Sequence, residues 1–205
     1  MRNFFFLLNV LTFGVLLSCS HQSRQDGQLH PKKLVNNLED HLVSDDWSWP
    51  VSSSRQVTAF DQSISKVLIP SRKGAHIQAS KGGYVHYLGE VTPEYLIALG
   101  LDVDGLEEKK LMMLVLTHQI GELKSPLFTL YVNIQNPLVS EGQRVTRGQA
   151  LAQVASGKFL HRFDYPEGTM VIGASAPGEL IFEARYQGNS IDLRLLFQDL
   201  LTNSK

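Results

Sequence analysis

Short runs of β-branched and aromatic residues alternate with glycine, proline and serine through most of the chain. Runs of this kind between turn-forming residues are typical of β-strands. They predict strands over Val67–Ile69, Gly83–Leu88, Leu111–Thr117, Phe128–Ile134, Ala150–Val154, Thr169–Ile172 and Leu180–Arg185. Many short strands with regular turn signals indicate a mainly β sandwich or barrel.

Other segments have a different pattern. Apolar residues at helical spacing predict a short helix over residues 34–43. Near the C-terminus, residues 191–201 predict a second helix with Asp192 as its N-cap residue. Residues 90–110 and 155–168 are rich in charged residues, glycine and proline. We expect both to be exposed loops, the first of them an acidic insertion.

The N-terminus carries a targeting signal. One basic residue, Arg2, precedes an apolar run that ends in Leu16-Leu17-Ser18-Cys19. This run is shorter than the roughly 20 residues that a membrane-spanning helix needs, and its layout is that of a secretory signal peptide. The one cysteine of the chain, directly after the expected cleavage point, resembles the lipobox of bacterial lipoproteins. We therefore expect residues 1–18 to be removed and Cys19 to be lipidated.

The remaining chain divides into a tether and a domain. Residues 19–46 are expected to form a lipidated flexible tether, because most of them are polar and lack periodicity. Residues 47–205 are long enough for one well-buried domain. Lipid anchoring in the periplasm is the expected location, and Ser20 favours the outer over the inner membrane. An ordinary signal peptide with a chance cysteine is the alternative.

Composition excludes several classes of protein. The net charge is −1 and the isoelectric point is near 6.7, so the chain lacks the basic surplus of a nucleic-acid-binding protein. With Cys19 assigned to the lipid, no thiol remains for a disulfide framework or a cysteine–zinc site. The sequence also has no glycine-rich phosphate-binding loop, so no cofactor is expected.

Three sequence segments, in order, resemble the lysostaphin-like (LytM-type) zinc metallopeptidases that cut peptidoglycan cross-bridges. The segments are Gly74–Ala79 with Gly83–Gly89, Thr129–Ile134 with Val139–Gln149, and Leu180–Asp192. They match the family patterns G-x-x-V-x-A with G-x-V-x-Y-x-G, T-x-Y-x-H-L with V-x-x-G-Q-x-V-x-x-G-Q, and H-L-H-F-E-V-R-x-x-G-x-x-V-D. The resemblance implies a duplicated-hybrid-motif β-sandwich or barrel of LytM type with a short C-terminal helix.

The resemblance also implies a catalytic zinc. Such a zinc takes three protein ligands and keeps a fourth position for water. The family supplies an upstream histidine and aspartate, an H-x-H pair and a further histidine after the tyrosine. The upstream residues and the second histidine of the pair are the ligands, while the other two histidines handle protons or hold the transition state. In this chain those positions fall on Ile64, Leu68, Glu179, Ile181 and Asn133. Hydrocarbon side chains have no lone pair for a metal, so we expect the zinc site to be lost and the domain to be non-catalytic.

Other histidines do not replace the lost ligands. A second register for the upstream pair places it on Arg72 and His76, and arginine does not ligate zinc. The histidines at positions 76, 86, 118 and 161 form no ligand couple at i+2 or i+4. We expect them to be structural residues.

The altered pattern resembles the inactive EnvC/NlpD-type group, whose members bind and activate cell-wall amidases through the former substrate groove. The resemblance implies a lipoprotein that binds and regulates a peptidoglycan hydrolase, or binds peptidoglycan, during envelope remodelling or division. The expected partner-binding groove comprises Tyr131, Asn133, Glu179, Ile181 and Arg185. For Arg185, a cross-strand or solvent-facing charge is the alternative.

Two alternative functions remain open. Residues 139–154 also suit a lipoyl- or biotinyl-like or membrane-fusion-type binding module. A carrier of that kind needs an exposed lysine, and none lies between Lys124 and Lys158. The second alternative is a metallopeptidase with a relocated metal site, for which the sequence shows no ligand set.

Overall fold

The computed structural model describes residues 38–42, 46–54, 57–59, 64–92, 94, 111–156, 160–164, 170–174 and 178–197. The expected signal peptide, Cys19 and most of the tether therefore lie outside the described residues, as does the interior of the acidic insertion. Residues 38–42 are helical, inside the predicted helix 34–43. Within the described ranges, no helix has both the length and the apolar character needed to cross a bilayer.

Strands dominate the described structure, which confirms the prediction of a mainly β fold. They are β1 (Thr58–Ala59), β2 (Lys66–Pro70), β3 (His76–Gln78), β4 (Gly83–Glu90), β5 (Met112–His118), β6 (Leu127–Val132), β7 (Ile134–Gln135), β8 (Arg144–Val145), β9 (Ala150–Val154), β10 (Leu160–Asp164), β11 (Met170–Ala174), β12 (Glu179–Tyr186) and β13 (Asn189–Ser190).

The strands form antiparallel sheets. The largest has the order β1-β2-β12-β6-β5-β4-β8, with β13 also paired to β12. A second sheet has the order β3-β9-β7, and β10 pairs with β11. The chain passes from β6 of the large sheet to β7 of the second sheet through Asn133, whose φ of +72° lies in the left-handed region.

The main hydrophobic core lies between the large sheet and the second sheet. Strand β12 contributes Leu180 and Phe182, alternate residues on one face of the large sheet. The second sheet contributes Ile77, Ile134 and Leu151 from its three strands. These apolar faces form the sandwich that the sequence pattern predicts.

The opposite face of the large sheet is also buried at its centre. A separate cluster there contains Leu68, Leu111, Met113, Val115, Leu130, Val132 and Ile181. Strands β5 and β12 are therefore apolar on both faces, and successive residues are buried. This explains why their sequences are almost continuous hydrophobic runs.

The predicted C-terminal helix is wrong. The structure has a single 3-10 turn at Leu193–Leu195, while residues beyond 197 lie outside the described ranges. Asp192 does cap this turn, since its side chain accepts a hydrogen bond of 2.9 Å from the Arg194 amide. Leu193 and Phe197 are buried in the main core. The conformation of this segment is therefore determined by its packing against the core and not by the helical spacing of its apolar residues.

The predicted loop 155–168 contains a strand. Residues Leu160–Asp164 form β10, which pairs with β11 in continuous antiparallel register. This strand carries charged and imidazole side chains at three of its five positions, so it lacks the apolar run that marked the other strands.

The glycines have two different roles. Gly142 and Gly148 adopt φ values of +74° and +75°, in the left-handed region that glycine reaches without a steric penalty. Gly83 instead is the first residue of β4, where an added Cβ atom would sit 2.2 Å from the carbonyl oxygen of Thr117. Close approach of two strands therefore requires a glycine at position 83.

Candidate functional site

Two residues that the family resemblance places at metal-ligand positions meet in the large sheet. Leu68 of β2 lies directly opposite Ile181 of β12. Ile181 lies opposite Val132 of β6, which lies opposite Met113 of β5. Directly opposite residues of antiparallel strands share a face, with Cβ atoms about 5 Å apart. We call Leu68, Ile181, Val132 and Met113 the apolar row.

The apolar row does not fit a zinc ion. Zinc in proteins is held by cysteine, histidine or carboxylate side chains, whereas Leu68 and Ile181 are hydrocarbon and at most 2% exposed. Glu179 supplies one carboxylate near the start of β12, which is short of three ligands. Across the described ranges, no three histidine, cysteine or acidic side chains form a metal-binding group.

The other candidates for the upstream ligand pair lie elsewhere. Ile64 packs against the main core, on the other side of the sheet from Leu68. Its φ of +50° is rare for a β-branched residue, and its carbonyl accepts a hydrogen bond from the Leu193 amide. In the second register, Arg72 lies in an exposed turn and His76 is exposed on β3 of the second sheet. None of them joins the apolar row.

Asn133 connects three strands at one corner. Its side-chain Nδ2 donates a hydrogen bond of 2.7 Å to the carbonyl oxygen of Glu179. Its amide donates to the carbonyl of Met112, and its carbonyl accepts from the amide of Ala155. Asn133 is only 1% exposed. Asn133 and Glu179 are thus in contact, as the groove hypothesis requires, but through the backbone of Glu179.

Tyr131 faces away from Ile181. It is fully buried in the main core, with its ring 5.2 Å from that of Phe182. Its hydroxyl accepts a hydrogen bond of 3.0 Å from the Ser80 amide. Burial raises the pKa of the Tyr131 phenol. The structure therefore does not bring Tyr131 to the face that carries the apolar row.

Arg185 is paired with a carboxylate of its own strand. Its guanidinium donates from Nε and Nη2 to the two carboxylate oxygens of Glu183, at 2.7 and 3.3 Å. Glu183 is 2% exposed and also accepts from the Ser190 hydroxyl. A buried carboxylate requires such partners. These contacts support the alternative of Arg185 as a structural charge, on the same face as Ile181.

His118 is a structural histidine, as the sequence predicted. It is fully buried at the end of β5, with Nδ1 2.9 Å from the Gly82 carbonyl oxygen and Nε2 2.8 Å from the Thr129 hydroxyl. Burial, the largest cause, lowers the pKa of His118 from 6.5 to about 4, although the Gly82 hydrogen bond opposes this shift. The imidazole is therefore neutral at neutral pH.

The neutral imidazole sets the direction of a buried hydrogen-bond chain. A carbonyl only accepts, so Nδ1 carries the proton towards Gly82 and Nε2 accepts the single hydroxyl proton of Thr129. The Thr129 and Tyr131 hydroxyl oxygens lie 3.3 Å apart. Tyr131 must then donate across that contact while accepting from the Ser80 amide. This chain fixes the loop around residues 80–82 to the centre of the sheet.

A second row of side chains crosses the same face as the apolar row, nearer the other end of the strands. We call Arg144, Tyr84, Thr117, Phe128 and Arg185 the exposed row, because successive members are directly opposite across β8, β4, β5, β6 and β12. Tyr84 is 52% exposed. The His86 ring packs edge-to-face on Phe128 with centroids 5.3 Å apart.

A groove opens beside this row, with a volume of about 690 Å³. Its lining includes Asp46, Lys81, Tyr84, Thr117, Arg144 and Arg147, and we call it the basic groove. Arg147 forms an ion pair with Asp46, and the Lys81 ammonium lies 5.3 Å from the centroid of the Trp47 ring. Sequence inspection missed this site because Lys81 and the arginines are far apart along the chain. One indication of the site is visible in the sequence: Lys81 and Arg147 each directly precede a glycine.

Comparisons with known proteins add a fold likeness. No protein-family model matches the chain, and no curated protein matches it. A putative M23 peptidase from Pseudomonas aeruginosa is similar at 16% identity and a TM-score of 0.46, over 80% of this chain and 59% of that one. A zinc-containing peptidase from Vibrio cholerae is similar at 16% identity and a TM-score of 0.45, over 74% and 40%.

A third similar structure is the M23 metalloprotease pseudoalterin, of deep-sea origin. It shares 14% identity and a TM-score of 0.41, over 74% of this chain and 76% of that one. The chain thus spans less than two thirds of the Pseudomonas and Vibrio proteins. Likeness at these identities concerns the fold and carries no statement about activity.

Proposed function

We propose that this chain is a non-catalytic LytM-like periplasmic lipoprotein that binds and regulates a cell-wall hydrolase or binds peptidoglycan. The observation that carries the proposal is the pairing of Leu68 with Ile181. Cross-strand neighbours on one face are close enough to share a metal ion. Both side chains are hydrocarbon, so this pair of positions packs instead of ligating.

The energetics of these positions support a packing role. Burying a leucine or isoleucine side chain contributes roughly 1.5–3 kcal/mol to stability. A catalytic zinc instead needs a coordination position that water and substrate can reach. Ile181 is fully buried and Leu68 is 2% exposed, so solvent does not reach the floor of the expected cleft.

The surface chemistry supports binding of a partner protein. Tyrosine and arginine are enriched in protein interfaces relative to the rest of a surface. The exposed row places Tyr84 and Arg144 side by side on neighbouring strands, next to an open groove. A protein partner, such as a hydrolase, is therefore favoured over direct binding of peptidoglycan.

Membrane attachment through Cys19 is part of the proposal and has its own test. Replacement Cys19→Ser should abolish incorporation of labelled palmitate and release the protein from the membrane fraction. The replacement Ser18→Ala is the matched control, and it should preserve both properties. Labelling of the serine variant at the wild-type level would exclude Cys19 as the lipidated residue.

The regulatory role can be tested with dye-labelled peptidoglycan. The full-length chain, purified in mild detergent, should release no dye by itself, with or without added zinc. Added to a purified cell-wall amidase, it should increase the release of dye by that enzyme. Zinc-dependent release by the chain alone would overturn the proposal and favour a relocated metal site.

The expected groove can be tested in the same assay. Glu179→Arg reverses a charge at the start of β12 and should reduce the stimulation of the amidase. Lys73→Glu reverses an exposed charge in the turn after β2 and should leave the stimulation unchanged. Equal stimulation by the Glu179→Arg variant and the wild type would exclude Glu179 from the contact. Co-sedimentation with purified peptidoglycan in the absence of amidase would identify the polymer as the partner.

A further inference from the structure

The basic groove concentrates positive charge on a chain that has none in excess. Lys81, Arg144 and Arg147 line it, against the single carboxylate of Asp46 among its lining residues. The whole chain has a net charge of −1. The positive potential is therefore local to the groove, and it favours a negatively charged ligand.

The groove wall is held in place before any ligand binds. The segment that carries both arginines is tied to its neighbours by the bonds from the Gly148 amide to the Ala79 carbonyl, 2.8 Å, and from the Val85 amide to the Gln143 carbonyl, 2.9 Å. The Gln149 side chain accepts from the Thr146 amide within the turn. A fixed backbone holds the two arginines along one wall, and the guanidinium fork matches a carboxylate.

One carboxylate already occupies part of the groove. Asp46 pairs with Arg147, with 76% of the Asp46 side chain and 43% of the Arg147 side chain exposed. An exposed pair of this kind contributes at most about 1 kcal/mol. An incoming carboxylate can therefore replace Asp46 at small cost, while Arg144 and Lys81 receive further negative groups.

We propose that the basic groove binds an acidic peptide segment of a partner protein, with carboxylates on the arginines and an aromatic or aliphatic residue on Tyr84. A membrane surface is disfavoured, because anionic lipids are bound by clusters of roughly 4–8 basic residues. Here three cations line a concave groove of about 690 Å³, and Tyr84 lies on its rim with half of its surface exposed.

The test uses a fluorescein-labelled peptide of six glutamates around one central phenylalanine, with fluorescence anisotropy as the readout. The full-length chain should bind this peptide saturably, and binding should weaken as salt is added. A peptide with glutamine in place of glutamate should not bind. Arg144→Glu should weaken binding about tenfold, the loss expected from one charge-assisted hydrogen bond.

Two matched controls separate the groove from overall charge. Arg72→Glu makes the same charge change in an exposed turn outside the groove lining and should leave affinity unchanged. Asp46→Ala removes the internal competitor and should strengthen binding severalfold. Glu122→Ala removes an equal charge elsewhere and should not. Circular dichroism spectra of the variants check the fold. If Arg144→Glu misfolds, the milder Arg144→Gln replaces it.

Several results would overturn the proposal. Equal loss of binding in Arg72→Glu and Arg144→Glu would indicate unspecific attraction. Absence of saturable binding to the glutamate peptide would reject an acidic peptide as the ligand. Binding to phosphatidylglycerol vesicles or to isolated peptidoglycan but not to the peptide would identify a different ligand. None of these outcomes depends on amidase stimulation, so this proposal and the proposed function can fail separately.

Discussion

The two rows on one face of the large sheet show how differently a single surface can be used. The apolar row is buried and purely hydrophobic, whereas the exposed row keeps Tyr84, Thr117 and Arg144 in contact with solvent. Both rows cross the same three neighbouring strands, β5, β6 and β12. The two rows share strands and a sheet face, so burial alone distinguishes the positions that stabilise this face from those available for recognition.

The family resemblance implies a zinc-binding reactive centre at the positions that the apolar row occupies. Among the described residues of this face, Tyr84, Thr117 and Arg144 offer polar atoms to a ligand at the other row and in the adjoining groove. The difference indicates that the face contributes to stability at one end and can contribute to binding at the other. Each prediction below tests one side of that comparison.

The largest expected effect is at the apolar row. Ile181→Ala should lower the free energy of unfolding by about 3 kcal/mol, because it removes buried contacts with the two neighbouring strands, β2 and β6. Tyr84→Ala, on the same face at the exposed row, should lower it by less than about 1 kcal/mol. Urea unfolding of the full-length chain measures both. Equal losses would show that the two rows do not differ in burial.

The second prediction concerns His118, which lies beneath the exposed row. Its folded pKa, about 4, is below the value of 6.5 expected in the unfolded chain. The unfolded state therefore binds the proton first as pH falls, so the stability from neutral His118 is fully present above pH 6.5. It should be lost between pH 6.5 and 4, by about 3 kcal/mol in total.

Comparing two histidine variants isolates this effect. His118→Gln should make the free energy of unfolding less dependent on pH within that window. His86→Gln, an exposed histidine on β4, should keep the wild-type dependence. Identical profiles for the His118 variant and the wild type would contradict a neutral buried imidazole.

The third prediction concerns Asn133, at the corner next to the apolar row. Asn133→Ala should lower the free energy of unfolding by about 2 kcal/mol. It removes the hydrogen bond to Glu179, and alanine adopts a positive φ less readily than asparagine does. Asn133→Gly should cost about 1 kcal/mol, since glycine adopts this φ freely. Thermal unfolding resolves the difference. A glycine variant less stable than the alanine variant would contradict the role of the left-handed backbone.

The smallest expected effect is at the exposed row. His86 and Phe128 pack edge-to-face at a solvent-accessible position. Their coupling in a double-mutant cycle with His86→Ala and Phe128→Ala should be about 0.5 kcal/mol. A coupling above about 1.5 kcal/mol would mean that this end of the face is as tightly packed as the apolar row.

Local patterns in the sequence predicted most of the longer strands. Apolar runs located β2, β5, β6, β9 and β12. Strand β10 was not predicted, because most of its residues are polar. The C-terminal segment was predicted as a helix because spacing alone does not show which residues the core will fix.

The candidate site was only partly predictable. The family resemblance placed Leu68 and Ile181 at metal-ligand positions, and the sheet register brings them together. Tyr131 was assigned to the same groove, although it lies one position from Val132 and so faces the opposite side of β6. The basic groove depends on the pairing of β4 with β8, a long-range contact that no local pattern contains.

The bond from the Ser80 amide to the Tyr131 hydroxyl has a kinetic consequence. Ser80 lies outside the strands, where amides commonly exchange with deuterated solvent by local fraying. Its acceptor is a phenol at the centre of the sandwich, so this amide becomes free only when the interior itself opens. Ser80 should therefore exchange as slowly as a central strand, and the residues that follow it keep their shape on the timescale of ligand encounter.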